Sequence, residues 1–387
     1  MKNNYIRVAI LSELDPNDKR SWSGIIYCMA KSLEQEFEHV SYLGPVKLTK
    51  KKRKVMRYKQ LFYIAIHRLL TKRKYNGINC GIKSSYHGKF FDAKIQENKV
   101  DVIFAPISAP QIAKLKSTVP ICYYSDTTYQ TIVNYYQKYS NFSQFSNRIA
   151  HSLEQKAFDK AISHAFSSQW ACNSAKENYN VTNPQLVKMG ANIDREPTEN
   201  ELEKNYDNCI KILFVGVEWE RKGGDIAIDT IDKLNKNGFN VELTVIGCTP
   251  PIKHKKMKVV PFLDKNKKQD MDTFRDHFVQ AHLFFMPTRA ECYGIVFCEA
   301  NAYGLPVITT NTGGTSSVVE NGVNGYILPL SATSSNYYKV ISELLYNKTK
   351  LKQLAVTSRT KYLNELNWQQ WGKKIRKIIE HTYFSKQ

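Results

Sequence analysis

Short apolar runs recur along this chain, each closed by polar, glycine or proline residues, and they alternate with stretches whose apolar residues fall three and four apart. Runs of this kind suit strands buried on both faces of a parallel sheet, and the longer spacing suits helices that cover such a sheet. The pattern predicts strands at 5–11 and 40–43 around an amphipathic helix at 25–37, then strands at 100–105, 120–124 and 164–166 with a helix at 147–160. A stretch rich in Glu, Asn and Lys, 196–208, reads as a linker. Beyond it come strands at 210–215, 241–247 and 259–264, and a helical pattern through Phe274, Phe278 and Ala281. A strand at 282–286 ends at Pro287, and a helix begins near Gly294. After Leu330 the chain reads as helical, closing with an amphipathic helix that carries Trp368, Trp371, Ile375, Ile378 and Ile379.

At 387 residues the chain has room for two domains of ordinary size, and 42% hydrophobic with 12% aromatic residues is a globular composition. Charge sharpens this picture. Fifty-six basic residues against thirty-five acidic leave +21, which favours an anionic partner such as a nucleotide phosphate, an anionic membrane face or nucleic acid. The excess is concentrated at 47–74, which holds twelve lysines and arginines and no acid, with Lys51, Lys52, Arg53, Lys54, Arg57 and Lys59 leading into an apolar middle. A basic amphipathic helix of this kind suits an anionic leaflet, with Phe62, Ile66, Leu69 and Leu70 dipping below the headgroups. The alternative is that the same apolar residues pack on their own domain. No nucleic-acid recognition module surrounds the segment, so nucleic acid is not the expected partner.

The eight cysteines are scattered without C-x-x-C spacing, as expected for reduced packing thiols in the cytoplasm. Ser12, Glu13 and Asp15 stop the apolar run at 8–11 short of a secretory leader, and no apolar run approaches the roughly twenty residues of a spanning helix. The expected protein is soluble or lies on a membrane surface.

Candidate chemistry gathers at the strand-loop-helix of 281–302. Glu291 lies in the loop and Glu299 in the helix, with Gly294 between them. The crevice outside the carboxyl ends of parallel strands is where open α/β sheets bind ligands. A helix start there offers amides and positive dipole to phosphate, and a glycine permits close approach. A carboxylate inside the helix can accept from ribose hydroxyls while one in the loop holds a sugar. Taken singly, Glu299 reads as a helix-surface charge and Glu291 as a first-turn acid favoured by the dipole.

The two glutamates belong to a longer ordered series: Glu291, seven residues, Glu299; Gly304, Pro306, Val307 and Ile308; Gly313 and Gly314; Glu320; then Asn321, Gly322 and Gly325. The series resembles the signature of the family-4 retaining glycosyltransferases of the GT-B fold (glycosyl transferases group 1), although Glu320 stands six residues after Gly314 where three are usual. The resemblance implies an α/β fold of two doubly wound Rossmann-like domains facing across a cleft. They are expected at 1–196 and 209–367, with the helix at 368–387 returning to the first. It also implies transfer of a sugar, with retained configuration, from a nucleotide-sugar to a hydroxyl of a glycan or lipid-linked acceptor. Cell-envelope polysaccharide or glycolipid synthesis on the cytoplasmic membrane face would be the setting.

In that resemblance Glu299 grips ribose, Glu291 the sugar, and the amides around Gly294, Ile295 and Val296 the phosphates; Phe262 lies at the strand end beside the nucleobase. Lys222, six residues after Gly216, matches the family's diphosphate lysine, while the arginine position is occupied by Val217. Arg221 either replaces that arginine or faces water. Gly24 matches the glycine of the first loop, and reads equally as an ordinary helix-start glycine. Ser125 and Asp126 stand where a histidine and its partner are usual, so Asp126 is either sugar-proximal or the cap of the next helix. The lone D-x-D, Asp270 and Asp272, precedes a helical pattern and reads as an acidic cap. No metal and no cofactor beyond the nucleotide-sugar co-substrate is expected. Two other readings stay open: a nucleotide-sugar epimerase on the same fold, and a non-catalytic basic adaptor.

Overall fold

The structure, a computed structural model, describes residues 2–386. Met1 and Gln387, the outer limits of the expected first domain and terminal helix, lie outside the described residues. The chain forms two compact units, Met1–Val187 with Gly372–Gln387, and Lys188–Trp371.

The first unit is built on six parallel strands: β1 (Asn3–Ile10), β2 (Phe37–Tyr42), β3 (Val102–Pro106), β4 (Ile121–Ser125), β5 (Ser163–Phe166) and β6 (Gln185–Leu186). Their order is β2-β1-β3-β4-β5-β6, so the winding reverses between β1 and β3. β3 is buried over all of Val102–Pro106, as a strand covered on both faces requires, while β1 is buried at Ile6 and from Val8 on, with Tyr5 and Arg7 exposed near its start. Helix Ile25–Glu36 starts at Gly24, whose φ of 85° follows two further left-handed residues, Trp22 and Ser23.

The basic segment is a 22-residue helix, Lys50–Thr71, started by Thr49, whose hydroxyl accepts from Lys52 N–H. The packed alternative does not describe it. Only His67 of this helix is buried, hydrogen-bonded to Ser143 and set against the rings of Tyr75 and Phe145. Phe62, Leu69 and Leu70 are 63%, 83% and 76% exposed, and Ile66 is half-buried. Helix Gly81–Glu97 was not marked by apolar spacing, because Ser84, His87 and Gly88 occupy its buried face beside Phe91 and Ile95.

The second unit holds β7 (Ile210–Val215), β8 (Val241–Ile246), β9 (Met257–Val260), β10 (Leu283–Met286), β11 (Val307–Thr310) and β12 (Gly325–Leu328), all parallel. The order β12-β11-β10-β7-β8-β9 is the doubly wound arrangement, with its reversal between β7 and β10. Residues 188–208 are tied to this unit. Lys188 pairs with Glu365 at 2.5 Å, Ala191 N–H donates to the Leu366 carbonyl, and Trp368 Nε1 donates to Asn192. The stretch read as a linker contains a short helix, Glu199–Leu202, closed by a reciprocal Thr198–Glu201 cap. The final helix, Trp368–Phe384, places Arg376 3.5 Å from Glu36 and Thr382 in hydrogen-bond contact with Ser163.

Among the described residues no helix is long and apolar enough to cross a membrane. Five of the eight cysteines are buried.

Candidate functional site

The turn after β7 and the loop after β10 leave the sheet at its point of reversal, and specific residues knit them together. Gly223, at φ 74°, lies so close to Pro287 that any Cβ would overlap the Pro287 carbonyl. Arg289 N–H donates to the Arg221 carbonyl at 2.8 Å, and Thr288 Oγ1 donates to the same oxygen at 3.2 Å. Gly216 leaves room for the stem of Lys222, since a Cβ there would stand 2.8 Å from Lys222 Cγ. Lys222 is thereby buried with its ammonium held in the interior of the two loops.

That ammonium forms an ion pair and hydrogen bond with Glu291 Oε2. Arg221 is directed to the same place: Nη1 donates to the Ala290 carbonyl at 2.8 Å and stands 3.8 Å from Glu291 Oε2, while Nη2 binds Glu218 at 2.9 Å. The water-facing alternative for Arg221 is therefore not what the structure holds. Gly314, from the diglycine turn after β11, donates its N–H to the Glu291 carbonyl at 3.2 Å.

Helix Ile295–Ala302 begins beside this cluster. Gly294, at φ 87°, is its N-cap, no side chain caps it, and a Cβ at 294 would strike the Phe297 ring. The first amides of a helix have no partner within it, so those of Ile295 and Val296 are positioned for an anion. Glu299, one turn on, is 1% exposed and paired with Lys265 at 2.7 Å. Burial raises its pKa, and the Lys265 charge opposes the rise without cancelling it.

Lys265 was missed from sequence. It follows β9 within the lysine-rich run DKNKK, where nothing local sets it apart, and in the fold its ammonium lies 4.3 Å over the Phe274 ring. Phe262, on the same loop, is exposed. The site thus consists of two lysine–glutamate pairs, Lys222–Glu291 and Lys265–Glu299, around a helix start. The structure pairs each glutamate with its own lysine. Tyr293, which lies between the two glutamates in the chain, donates its Oη to the Met189 carbonyl at 3.0 Å.

Other expected residues are placed elsewhere. Val217 is exposed and brings no charge. Gly24 and Asp126 belong to the first unit. Asp126 does not cap the following helix: Thr128, itself extended and next to the first helical residue, does, accepting from Thr131 N–H. Asp270 accepts the Asp264 amide at 2.7 Å and Asp272 pairs with Arg275 at 2.8 Å, so each has a structural partner. Among the described residues no three His, Cys, Asp or Glu side chains stand together as a metal site would require.

Residues 209–347, the stretch that carries both pairs, match the family described as Glycosyl transferases group 1. An uncharacterized glycosyltransferase of Methanocaldococcus jannaschii is 27% identical over 209 residues, 52% of this chain and 55% of that protein. The capsular polysaccharide biosynthesis glycosyltransferase CapM of Staphylococcus aureus is 29% identical over 143 residues, 35% of this chain and 37% of that protein. The chain spans about half the length of the curated relatives it matches. Among solved structures, sucrose-phosphate synthase from Thermosynechococcus elongatus superposes with a TM-score of 0.66 at 14% identity, over 98% of this chain and 100% of that one. Anabaena HepE in complex with UDP-glucose gives 0.64 at 15%, over 97% and 100%. With the two parallel six-stranded sheets, these likenesses establish an α/β fold of the GT-B class.

Proposed function

We propose that this chain transfers a sugar, with retention, from a nucleotide-sugar to a hydroxyl of a glycan or lipid-linked acceptor in envelope polysaccharide or glycolipid synthesis. The observation that carries the reading is the buried Lys222–Glu291 pair at the β7/β10 reversal, beside the uncapped start of helix Ile295–Ala302. The match of residues 209–347 to group 1 glycosyl transferases supports it. The complex of the structural neighbour HepE with UDP-glucose supports a UDP-hexose donor, and the capsular relative supports a polysaccharide acceptor.

In this reading the donor diphosphate replaces Glu291 as the partner of Lys222. Negative charge growing on the leaving diphosphate is met by Lys222, by Arg221 and by the amides of Ile295 and Val296, all in place before the reaction. Glu291, released from its lysine, accepts from the sugar hydroxyls. Glu299, oriented by Lys265, accepts from the ribose, and Phe262 offers a face to the nucleobase. No metal is assigned, because Lys222 and Arg221 supply the positive charge.

A thermal-shift panel of nucleotide-sugars tests the donor site. A ligand that binds only the folded state stabilises it by about 2.7 kcal/mol at a hundred times its Kd, so UDP-glucose or a related donor should raise the unfolding temperature measurably. NMR of the products, with and without acceptor, separates glycosyl transfer from epimerisation, which would proceed without acceptor. A chain stabilised by no nucleotide-sugar would instead be the adaptor.

We further propose that helix Lys50–Thr71 rests on the anionic cytoplasmic leaflet. Its exposed Phe62, Leu69 and Leu70 accompany exposed Lys51, Lys52, Arg53, Lys54, Arg57 and Lys59. Each basic residue near such a surface contributes about 1 kcal/mol. Wild-type protein should co-sediment with phosphatidylglycerol vesicles at low salt, and the triple variant Phe62→Ser, Leu69→Ser, Leu70→Ser should bind at least tenfold more weakly. Equal sedimentation with neutral and anionic vesicles would remove the proposal.

A further inference from the structure

The first unit carries a second constellation of the same kind at its own point of reversal. Glu13 leaves the carboxyl end of β1, next to β3. Its Oε1 accepts from Lys83 at 2.9 Å, its Oε2 accepts from Gln111 Nε2, and His87 Nδ1 stands 3.3 Å from Oε2. Lys83 and the buried His87 come from helix Gly81–Glu97, and Gln111 from the turn after β3. Burial alone would raise the Glu13 pKa, but His87 and Lys83 more than offset it and hold it at about 2. The carboxylate is ionised throughout the physiological range.

A part-exposed carboxylate held by two donors, Lys83 and Gln111, with His87 Nδ1 close by, is weak as a stabilising device. At a sheet reversal, where α/β folds bind their ligands, it serves instead as a preset acceptor. A carboxylate offers about four lone-pair positions, so the two hydrogen-bonded protein donors leave room for a hydroxyl.

A cavity of ≈ 390 Å³ opens beside Glu13 and His87, and Lys47, Arg53 and Met56 also line it. That volume lies within the range of small-molecule sites. Its lining combines a hydroxyl acceptor, Glu13, with two cations, Lys47 and Arg53, and apolar side chains that include Met56. Arg53 and Met56 belong to the same basic helix whose apolar residues stand exposed, so the cavity and the lipid-facing surface share one element.

We infer that this cavity seats a sugar phosphate, the headgroup of a lipid-linked acceptor, with Lys47 and Arg53 on the phosphate and Glu13 on a sugar hydroxyl. The inference rests on the glycosyltransferase reading and narrows its acceptor to a sugar joined to a phosphate. A free sugar phosphate has the same chemistry as the lipid-borne one, and the experiment must distinguish the two.

The test is calorimetric titration of the full chain with glucose 1-phosphate, glucose, inorganic phosphate and, in parallel, UDP-glucose. Glucose 1-phosphate should bind saturably and at least tenfold more tightly than glucose or phosphate alone. Glu13→Gln and the pair Lys47→Ala, Arg53→Ala should each weaken it at least tenfold. Met56→Trp, which fills the cavity from the helix side and leaves the Glu13 cluster in place, should abolish it; an unchanged unfolding midpoint shows that the fold persists. Neutral phosphatidylcholine vesicles doped with a polyprenyl phosphoglucose should retain wild-type protein better than undoped ones, and Met56→Trp should lose that difference. Binding of UDP-glucose without a preference for glucose 1-phosphate, or a preference indifferent to Met56→Trp, overturns the inference. A preference for free glucose 1-phosphate with no effect of vesicle doping overturns its lipid-linked part. Binding of glucose 1-phosphate without UDP-glucose would instead overturn the donor-site reading.

Discussion

Lys222→Met is expected to lower kcat by about 10²–10³-fold, the usual loss when one preorganised group facing developing charge is removed. Methionine keeps most of the stem that lies over Gly216 and deletes only the charge, so packing and electrostatics are separated. In the resting protein the substitution leaves Glu291 with Arg221 Nη1 at 3.8 Å, a longer and weaker pairing than the one it loses. The neighbouring Arg221 limits the cost to the fold. The measurement is steady-state release of UDP from UDP-glucose in the presence of acceptor, with circular dichroism confirming the fold. Wild-type turnover in Lys222→Met would end the assignment of this pair to the diphosphate.

Glu299→Gln is expected to lower kcat/KM for the donor by roughly tenfold to a hundredfold. A hydrogen bond to a charged group is worth about 1.5–3 kcal/mol, and each 1.36 kcal/mol is a decade in rate. The same substitution should not destabilise the unliganded protein at neutral pH. Glu299 has a pKa raised in the fold above the ordinary 4.5, by burial first and against the pull of Lys265. A raised carboxyl pKa contributes stability that is complete below 4.5 and is lost as pH rises through the folded value, so the charged form is held at a cost. Glutamine removes that pH dependence, and Lys265, which is only half-buried, can turn to water. Chemical denaturation across pH 4 to 8, set beside donor titration, therefore divides the two roles. Lost donor binding with a flatter stability profile supports ribose recognition; lost stability with unchanged donor binding would make Glu299 structural.

Much of the local architecture was readable before any coordinates. The runs at 210–215 and 282–286 coincide with β7 and β10 to within a residue, because a strand buried on both faces must be apolar at consecutive positions. The helix start at Gly294 was readable from the three- and four-residue spacing of Ile295, Val296, Cys298, Glu299 and Ala302, and the structure adds why glycine stands there: φ is 87° and a Cβ would meet the Phe297 ring. Helix Gly81–Glu97 was not, because the side chains it buries include serine, histidine and glycine. The Thr128 cap was missed for a related reason: aspartate and threonine cap equally well, and only the backbone path past β4 decides between them.

What the sequence determined by itself, then, is the succession of strands and helices, the glycines at the turns, the charge concentrated in one helix, and the identity of Glu291, Glu299 and Lys222 as candidates. Partnership was decided by tertiary structure alone. Lys222 meets Glu291 across 69 residues, Lys265 meets Glu299 across 34, and Lys83 and Gln111 converge on Glu13 across 70 and 98. The exposure of Phe62, Leu69 and Leu70 was likewise undecided until the neighbours of their helix were in place. Periodicity and turn chemistry act between residues a few positions apart, whereas an ion pair or a buried face depends on which loops the sheet order brings to one edge.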